Sequence, residues 1–336
     1  MDNPQQNANG FPPPSPNVKR PSYNHFPASD LGGSPNFAGT FAGILAGLSG
    51  FLGLAADGEL WRATALTSGG FTGGIEGPAC DRSGALYCVS LETAQTIARV
   101  SPDGHAEIFI TLAPTSAGNG IRFTPSGVMF IADYTGHNVL RVAPGSRTAT
   151  VWVHEPRMNQ PNDLAIATDG TLYASDPDWK RGTGQVWRIT QDAKTHLEAK
   201  DLGTTNGIEV SPDGRHVYVN ESVQRNLWVF DRASDGSLKN RRLLRKFEDH
   251  GFDGMRCDVD GNLYITRPGK GTVVVVSPEG KTLREIDVLG EHPSNLCFGG
   301  PDGRTVYVTE AHAKRLVQFR TERPGLEWLR WQSSAK

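Results

Sequence analysis

Six residues with oxygen-bearing side chains recur along this 336-residue chain at spacings of 43, 43, 44, 47 and 42 residues. They are Glu76, Asn119, Asn162, Asn206, Asp253 and Asn295, and we call them the ring residues. Carboxylate and amide oxygens are hard donors, and the set contains none of the thiolates or imidazoles that softer metals prefer. The pattern therefore predicts a site for one divalent cation. We expect Ca²⁺, with Mg²⁺, Mn²⁺ and Zn²⁺ as alternatives.

Each ring residue lies eight positions before a turn glycine, so the turns recur with the same period. These glycines are Gly84, Gly127, Gly170, Gly214, Gly261 and Gly303. A period in the forties is typical of propeller blades, which are arranged around a central channel. The sequence thus predicts an all-β fold: a six-bladed β-propeller with four-stranded antiparallel blades around a central metal-binding channel. Equivalent positions of the blades would then face one another across the channel.

The segments between the turns have the composition of strands. Runs after the turn glycines, such as 86–89, 129–132 and 263–265, are rich in β-branched and aromatic residues, which favour strands. A third run follows about fifteen residues after each glycine, and a weaker fourth run completes the blade. Two segments compete to close the ring of blades. Residues 59–66 could pair with the last blade, or residues 326–331 could be its own fourth strand.

The first part of the chain differs from the repeats. Residues 1–36 are rich in Pro, Asn and Ser, which predicts a disordered leader. Residues 37–56 form an uncharged, apolar, glycine-rich segment, whose role stays open between a packed cap, a poorly ordered leader and an anchor for export or membrane attachment. We assign residues 57–336 to the propeller. We expect a cytoplasmic protein, with an exported or membrane-anchored one as the alternative.

Composition and motifs exclude several function classes. The formal net charge is -2, with Lys and Arg spread along the chain, so the basic stripe of a nucleic-acid binder is missing. The sequence contains no GxSxG elbow, HExxH motif, P-loop or full EF-hand loop, which are the usual signatures of competing chemistries. The ring residues therefore remain the main candidates for chemistry.

Polar residues also end the second strand of each predicted blade. They are Ser90, Asp133, Asp176, Glu221, Arg267 and Glu310. A hairpin returns the chain to the end where it began, so these strand-end residues should share a face of the disc with the ring residues and help to position them. For Ser90 and Glu310, solvated loop positions are an equal alternative. We predict that Asp176, Arg267 and His137 line the mouth and contact substrate, together with Tyr134 and Trp179.

Five segments carry a resemblance to a known family. They are Gly74-Ile75-Glu76-Gly77-Pro78, Gln160-Pro161-Asn162-Asp163, Thr205-Asn206-Gly207-Ile208, Phe252-Asp253-Gly254-Met255 and Leu296-Cys297-Phe298-Gly299-Gly300-Pro301-Asp302. From about residue 71 to the end of the last repeat, the chain resembles the SMP-30/gluconolactonase/luciferin-regenerating enzyme family. The resemblance implies a six-bladed propeller with a divalent cation in its channel, and hydrolysis of lactones or, in relatives, of organophosphates.

The resemblance also implies roles for single residues. Glu76, Asn206 and Asp253 would be metal ligands, and Asn162 a fourth ligand or a contact to substrate and water. Sugar lactonases of the family tend to carry Arg where this chain has Gln160, which leaves gluconolactone itself in doubt as the substrate. Asn119 and Asn295 extend the ring beyond the usual ligand set, and we predict that they bind substrate or water, as does Gln160.

These interpretations favour a divalent-metal-dependent lactone hydrolase. The cation would polarise the lactone carbonyl, and Asp253 would act as general base on the attacking water. The alternatives are an organophosphate or phosphotriester hydrolase at the same ion, and a non-catalytic propeller that serves as an interaction platform. We expect a small-molecule lactone substrate, no nucleic-acid partner, no membrane association, and a monomer or simple homo-oligomer.

Overall fold

The recurring turns form the first hairpin of each blade. A computed structural model describes residues 60–333. In it the six turn glycines have φ between 71° and 85°, a left-handed conformation that glycine adopts without steric cost. The N–H of Gly84 donates to the carbonyl of Asp81, and the N–H of Gly127 donates in the same way to Thr124. Each turn therefore reverses the chain between the first and second strands of its blade.

Twenty-four strands in residues 60–333 form six antiparallel sheets of four strands. Blade 1 consists of β2 (Phe71–Cys80), β3 (Leu86–Leu91), β4 (Thr96–Val100) and β5 (Ala106–Thr111). Blade 2 consists of β6 (Gly118–Phe123), β7 (Met129–Asp133), β8 (Asn138–Val142) and β9 (Ala149–His154). Blade 3 consists of β10 (Leu164–Ile166), β11 (Leu172–Asp178), β12 (Thr183–Ile189) and β13 (Thr195–Leu202). Blade 4 consists of β14 (Thr205–Val210), β15 (His216–Glu221), β16 (Asn226–Arg232) and β17 (Leu238–Lys246). Blade 5 consists of β18 (Met255–Cys257), β19 (Leu263–Arg267), β20 (Thr272–Val276) and β21 (Thr282–Asp287). Blade 6 combines β22 (Pro293–Gly299), β23 (Thr305–Glu310) and β24 (Arg315–Arg320) with the first strand of the described chain, β1 (Thr64–Ala65).

The six sheets are arranged as a propeller. The first strand of each blade packs against the first strand of the next, in the closed order β2, β6, β10, β14, β18, β22 and back to β2. Six apolar clusters occupy the six interfaces between neighbouring blades; Val89 and Ile131, for example, pack between blades 1 and 2. Burial of these apolar faces is the main favourable term that holds the blades together. The predicted six-bladed propeller is confirmed.

The ring of blades is closed by the N-terminal side of the described chain. Thr64 pairs with Gln318 and Ala65 with Val317, so the strand predicted within residues 59–66 closes blade 6. The alternative, a strand at 326–331, is wrong, because this segment lies in the helix α1 (Leu326–Ser333). Its apolar residues do not alternate as a strand requires. Closure by β1 ties the two ends of the propeller into one sheet.

Helix α1 covers one end of the channel. Gly325, just before the helix, forms a bridge with Asp258 near the turn of blade 5, and the side chain of Trp328 lies against Gly303 in the turn of blade 6. Trp331 is buried among apolar residues of blades 1 and 6. The helix therefore lies at the turn end of the blades, and the ring residues lie at the opposite end of the first strands.

The leader at 1–36 and the apolar segment at 37–56 lie outside the described residues. Within 60–333, no helix combines the length and the apolar character needed to cross a membrane.

Candidate metal and substrate site

Five ring residues lie near the start of a first strand, and Glu76 lies within β2; all six are buried, with exposed fractions between 0% and 4%. Hydrogen bonds between blades connect their backbones. The N–H of Gly120 donates to the carbonyl of Asn162 at 2.8 Å, and the N–H of Gly207 donates to the carbonyl of Asp253 at 3.1 Å. The fold therefore fixes neighbouring ring residues to one another through the main chain.

Glycine follows four of the ring residues because the blades meet there with no room for a side chain. A Cβ added to Gly77, whose φ is 55°, would lie 1.8 Å from the carbonyl oxygen of Asn119. A Cβ on Gly254 would lie 2.0 Å from the amide group of Asn295. Both distances are far below van der Waals contact. Glycine after a ring residue thus allows the close approach of two blades beside the site.

Four buried oxygen atoms of the ring residues have no hydrogen-bond partner. They are Glu76 Oε1, Asn162 Oδ1, Asn206 Oδ1 and Asp253 Oδ1, from four different blades. The other Glu76 oxygen accepts from the N–H of Gly77 at 2.7 Å, and Asn206 Nδ2 donates to Ser222 Oγ at 3.0 Å. Buried polar atoms are rarely left without a partner. Four hard oxygen donors in this state fit a bound cation.

The donor set contains only two carboxylates. Nowhere in residues 60–333 do three or more His, Cys, Asp or Glu side chains form a cluster suited to a metal, so amide oxygens would have to supply the remaining ligands. Burial raises the pKa of Glu76 to about 7. Burial, followed by the charge of Glu76, raises the pKa of Asp253 well above its usual range. Two carboxylates that disfavour each other's charge are a suitable environment for a divalent cation.

A second group of charges, four of them buried and two half-buried, lies further along the channel, toward α1. Its six members are Arg122, Asp163, Glu209, Arg256, Glu327 and Arg330, and we call them the channel charges. Arg256 Nη1 lies 2.7 Å from Asp163 Oδ2. Arg122 Nη1 lies 3.1 Å from Glu209 and 2.7 Å from Glu327 of α1. Three guanidinium groups and three carboxylates cancel, so the two charges of Glu76 and Asp253 are left for a divalent ion to balance.

The sequence reasoning missed this second group, although a signal was present. Arg122, Glu209 and Arg256 each lie three positions after a ring residue, within the runs Gly-Ile-Arg-Phe, Gly-Ile-Glu-Val and Gly-Met-Arg-Cys. A charged residue inside an apolar strand is costly to bury unless it has a partner. Opposite charges at the same position of different repeats indicate that such partners lie across the channel.

The strand-end residues position the loops that lead to the ring residues. Asp133 accepts a hydrogen bond from the N–H of Ala117, Glu221 from Gly203 and Glu310 from His292. Asp176 accepts from the N–H groups of Asn159 and Gln160. Arg267 does the reverse and donates to the backbone carbonyls of Asp249 and His250. The alternative that Ser90 and Glu310 are solvated is wrong, because both are fully buried.

The structure does not bring Asp176 and Arg267 to the mouth as groups free to bind substrate. Asp176 is fully buried, and Trp187 Nε1 donates to it at 3.0 Å in addition to the loop N–H groups. Arg267 is 1% exposed and paired with Asp249 and Glu285. Strand-end position correctly places both residues near the loops, but the direction of a side chain along the strand does not follow from it.

Other predicted substrate contacts remain available at the site. His137 and Gln160 are partly exposed, and His137 Nδ1 donates to the carbonyl of Met158 at 2.7 Å, beside the loop that carries Gln160. Asn119 Nδ2 donates to the carbonyl of Asn162 at 3.1 Å. Asn295 Oδ1 accepts from the N–H of Leu296 at 2.8 Å, which leaves Nδ2 buried without a partner. That donor lies close to the Glu76 carboxylate and favours its charged form, so it faces the candidate metal site.

Comparisons with known proteins agree with this architecture. The chain is 29% identical to a gluconolactonase of Zymomonas mobilis over 283 residues, which covers 74% of this chain and 78% of the relative. It is 27% identical to a 6-deoxy-6-sulfogluconolactonase of Pseudomonas putida over 216 residues, or 63% of this chain and 65% of the relative. The structure of a calcium-binding protein, regucalcin, from Agrobacterium tumefaciens superposes with a TM-score of 0.68 at 19% identity, covering 78% and 94% of the two chains.

The family description SMP-30/Gluconolactonase/LRE-like region matches residues 75–312. This range begins one residue before the first ring residue and ends beyond the last, so the match includes all six ring residues. The chain belongs to the SMP-30/gluconolactonase/LRE-like family.

Proposed function

We propose that the chain is a divalent-metal-dependent lactone hydrolase. The observation that carries the proposal is the set of four unpartnered, buried oxygens on Glu76, Asn162, Asn206 and Asp253, which would hold the ion. The charge of the site supports a divalent species, because the channel charges are neutral among themselves. Hard oxygen donors favour Ca²⁺ over thiophilic metals.

Lactones are the substrate class that the relatives support. Two of them are named for opening lactones of sugar acids, a gluconolactonase and a sulfonated counterpart. Gln160 is partly exposed two residues before Asn162, and a neutral amide there could donate to and accept from the hydroxyl groups of such a substrate. This residue carries no charge, so it offers no pairing for an anionic substituent.

The bound cation would supply a Lewis acid that polarises the lactone carbonyl. The chain's own residues perform the remaining tasks. Asp253 would take a proton from the water that attacks the carbonyl carbon, and this proton would pass to the ring oxygen as its bond to that carbon breaks. Asn295 Nδ2, which lies close to the Glu76 carboxylate, would donate to substrate or water. Asn119 and His137 would orient the substrate at the mouth.

The proposal is tested by a screen of chelator-treated and Ca²⁺-loaded protein against aldonolactones, aromatic lactones and phosphotriesters. We expect lactone hydrolysis only in the loaded protein, together with a rise in melting temperature on adding Ca²⁺. Asp253→Asn should bind Ca²⁺ more weakly and lose roughly 10²-fold in turnover, the usual contribution of a positioned general base.

A matched control is Asp231→Asn, which removes a carboxylate on the outer part of blade 4 that is paired with Arg242. This substitution should leave both Ca²⁺ affinity and turnover unchanged. Hydrolysis that is unaffected by the chelator, or an Asp253→Asn protein with full turnover when saturated with Ca²⁺, would contradict the assignment. Turnover of phosphotriesters without turnover of lactones would instead identify the chain as a phosphotriester hydrolase.

A further inference from the structure

One position in each blade lies directly before the strand-end residue, and in four blades it is polar. These four are Ser175, Asn220, Thr266 and Thr309, and we call them the clamp residues. All four are fully buried. Blades 1 and 2 carry the apolar Val89 and Ala132 there. A buried hydroxyl or amide in the middle of a sheet needs hydrogen-bond partners.

Each clamp residue finds its partners in the backbone beside a ring residue. Ser175 Oγ accepts from the N–H of Asp163 at 3.0 Å. Thr266 Oγ1 donates to the carbonyl of Ser294 at 2.9 Å. Thr309 Oγ1 accepts from the N–H of Asn295 at 3.0 Å. The second strand of a blade thus holds the start of a first strand in place.

Asn220 differs from the other clamp residues because its amide joins the backbones of two proposed ligands. Its Oδ1 accepts from the N–H of Gly207, next to Asn206, at 3.1 Å. Its Nδ2 donates to the carbonyl of Asp253, in the next blade, at 2.8 Å. The two partners fix the orientation of the amide, since one is a donor and the other an acceptor.

The two residues after Asn220 act on the same segment. Glu221 accepts from the N–H of Gly203 at 2.6 Å, and Ser222 Oγ accepts from Asn206 Nδ2 at 3.0 Å. Asn220-Glu221-Ser222 has the sequence of a glycosylation acceptor. However, the Asn220 side chain is fully buried. In the folded protein these three side chains serve the site instead.

We propose that Asn220 is a positioning residue that sets the spacing between Asn206 and Asp253, and with it the affinity of the site for its cation. This inference rests on the proposed function, because it assumes that both residues are metal ligands. Groups that orient metal ligands typically change metal affinity 10–100-fold when they are removed. Asn220 acts through the backbone on two ligands at once, so its effect should lie within this range.

The test compares Asn220→Leu with Thr309→Val. Each substitution keeps the approximate volume and removes the hydrogen bonds of one clamp residue, but Thr309 contacts Asn295, which lies outside the proposed ligand set. Ca²⁺ affinity is measured by isothermal titration calorimetry on chelator-treated protein, and unfolding by urea is measured without metal. We expect Asn220→Leu to bind Ca²⁺ 10–100-fold more weakly, and Thr309→Val to bind within about 3-fold of the parent.

The unfolding measurement separates positioning from a general structural role. Both variants should lose stability, because both lose buried hydrogen bonds. Only Asn220→Leu should lose affinity in the folded state. If that variant does not fold, Asn220→Ser, which retains one hydroxyl, should fold and show a smaller loss of affinity in the same direction.

The outcomes distinguish this inference from the function on which it rests. A parent protein that binds none of Ca²⁺, Mg²⁺, Mn²⁺ and Zn²⁺ would refute the proposed function. A parent that binds, together with Asn220 variants of equal affinity, would overturn only the role of Asn220. Equal losses of affinity in Asn220→Leu and Thr309→Val would also overturn it, since the effect would then belong to clamp residues in general.

Discussion

Replacing Arg256 by methionine should strongly destabilise the propeller. Arg256 and Asp163 are 1% and 0% exposed, and their charged atoms lie 2.7 Å apart. Without the guanidinium, Asp163 keeps one backbone hydrogen bond, from the N–H of Leu164, and becomes a buried charge that has lost its ion-pair partner. Loss of one partner of a buried ion pair costs about 3–5 kcal/mol.

This cost can be converted into a melting temperature. The entropy of unfolding is ~2.1 cal/mol/K per residue near 60 °C, or about 0.6 kcal/mol/K for a propeller of roughly 270 residues. A loss of 3–5 kcal/mol then lowers the melting temperature by about 5–9 °C. Equilibrium unfolding in urea, followed by tryptophan fluorescence in the presence of chelator, measures the free energy without a contribution from bound metal.

Two further variants make the result specific. Adding Asp163→Asn to Arg256→Met removes the uncompensated charge and should restore part of the lost stability. Arg242→Met removes a half-exposed partner of Asp231 and should cost no more than about 1 kcal/mol. The view that the channel charges compensate one another would be refuted if the free energy of unfolding of Arg256→Met lay within 1 kcal/mol of the parent's, with the same slope against urea concentration.

Three other perturbations have defined outcomes. Deletion of residues 1–56 should leave a propeller that binds Ca²⁺ with the parent's affinity; aggregation of the truncated protein would show that these residues are part of the fold. Gly77→Ala should lower the melting temperature and weaken Ca²⁺ binding. The new Cβ, next to Glu76 in the chain, would lie 1.8 Å from the carbonyl oxygen of Asn119. Calorimetry that shows neither change would contradict this prediction. Burial raises the pKa of Tyr173 and of Tyr218 to about 12, so the contribution of these tyrosines to stability should be constant below about pH 9, where the unfolded tyrosines are still protonated, and should be lost between about pH 10 and 12. Urea unfolding across this range, with tyrosinate absorbance as a second readout, measures the effect, and a flat profile would count against it.

The repeat pattern predicted most of the fold, because in a propeller one periodic signal specifies blade number, blade order and the positions that face the channel. The repeat positions of Glu76 and Asp253 therefore predict, from the sequence alone, that the two residues face each other across the channel. Closure of the ring could not be predicted in the same way. Residues 59–66 and 326–331 both lie outside the repeats, and short apolar segments do not distinguish a strand from a helix by composition alone.

The charged face of α1 explains why composition alone does not identify residues 326–331 as a helix. Glu327 and Arg330 are three residues apart, which places both on one side of a helix. There they meet Arg122 and the carbonyl of Ile166. The helical signal was therefore a pair of charges whose partners lie more than a hundred residues away in the sequence, and local pattern reasoning does not include such contacts.

Side-chain direction explains the remaining difference at the site. Arg267 ends β19 and Asp176 lies two residues before the end of β11, but each side chain turns toward a neighbouring loop and binds its backbone. The sequence gives the residue type and the end of the strand. Whether a charged group points to solvent, to substrate or to unpaired backbone groups depends on which of these partners the loop supplies.

The placement of α1 has a consequence for how the molecule is assembled during translation. Helix α1 follows all 24 strands in the described chain, and β1, which completes blade 6, precedes the other 23. A nascent chain can therefore build blades 1 to 5 in order, but it must keep β1 unpaired until β24 emerges. Until α1 docks, Arg122 and Glu209 face a channel whose turn end is open to water. The last steps of folding thus join the sheet and close the channel floor, so a released chain that ends before residue 326 should form a propeller whose interior is still hydrated.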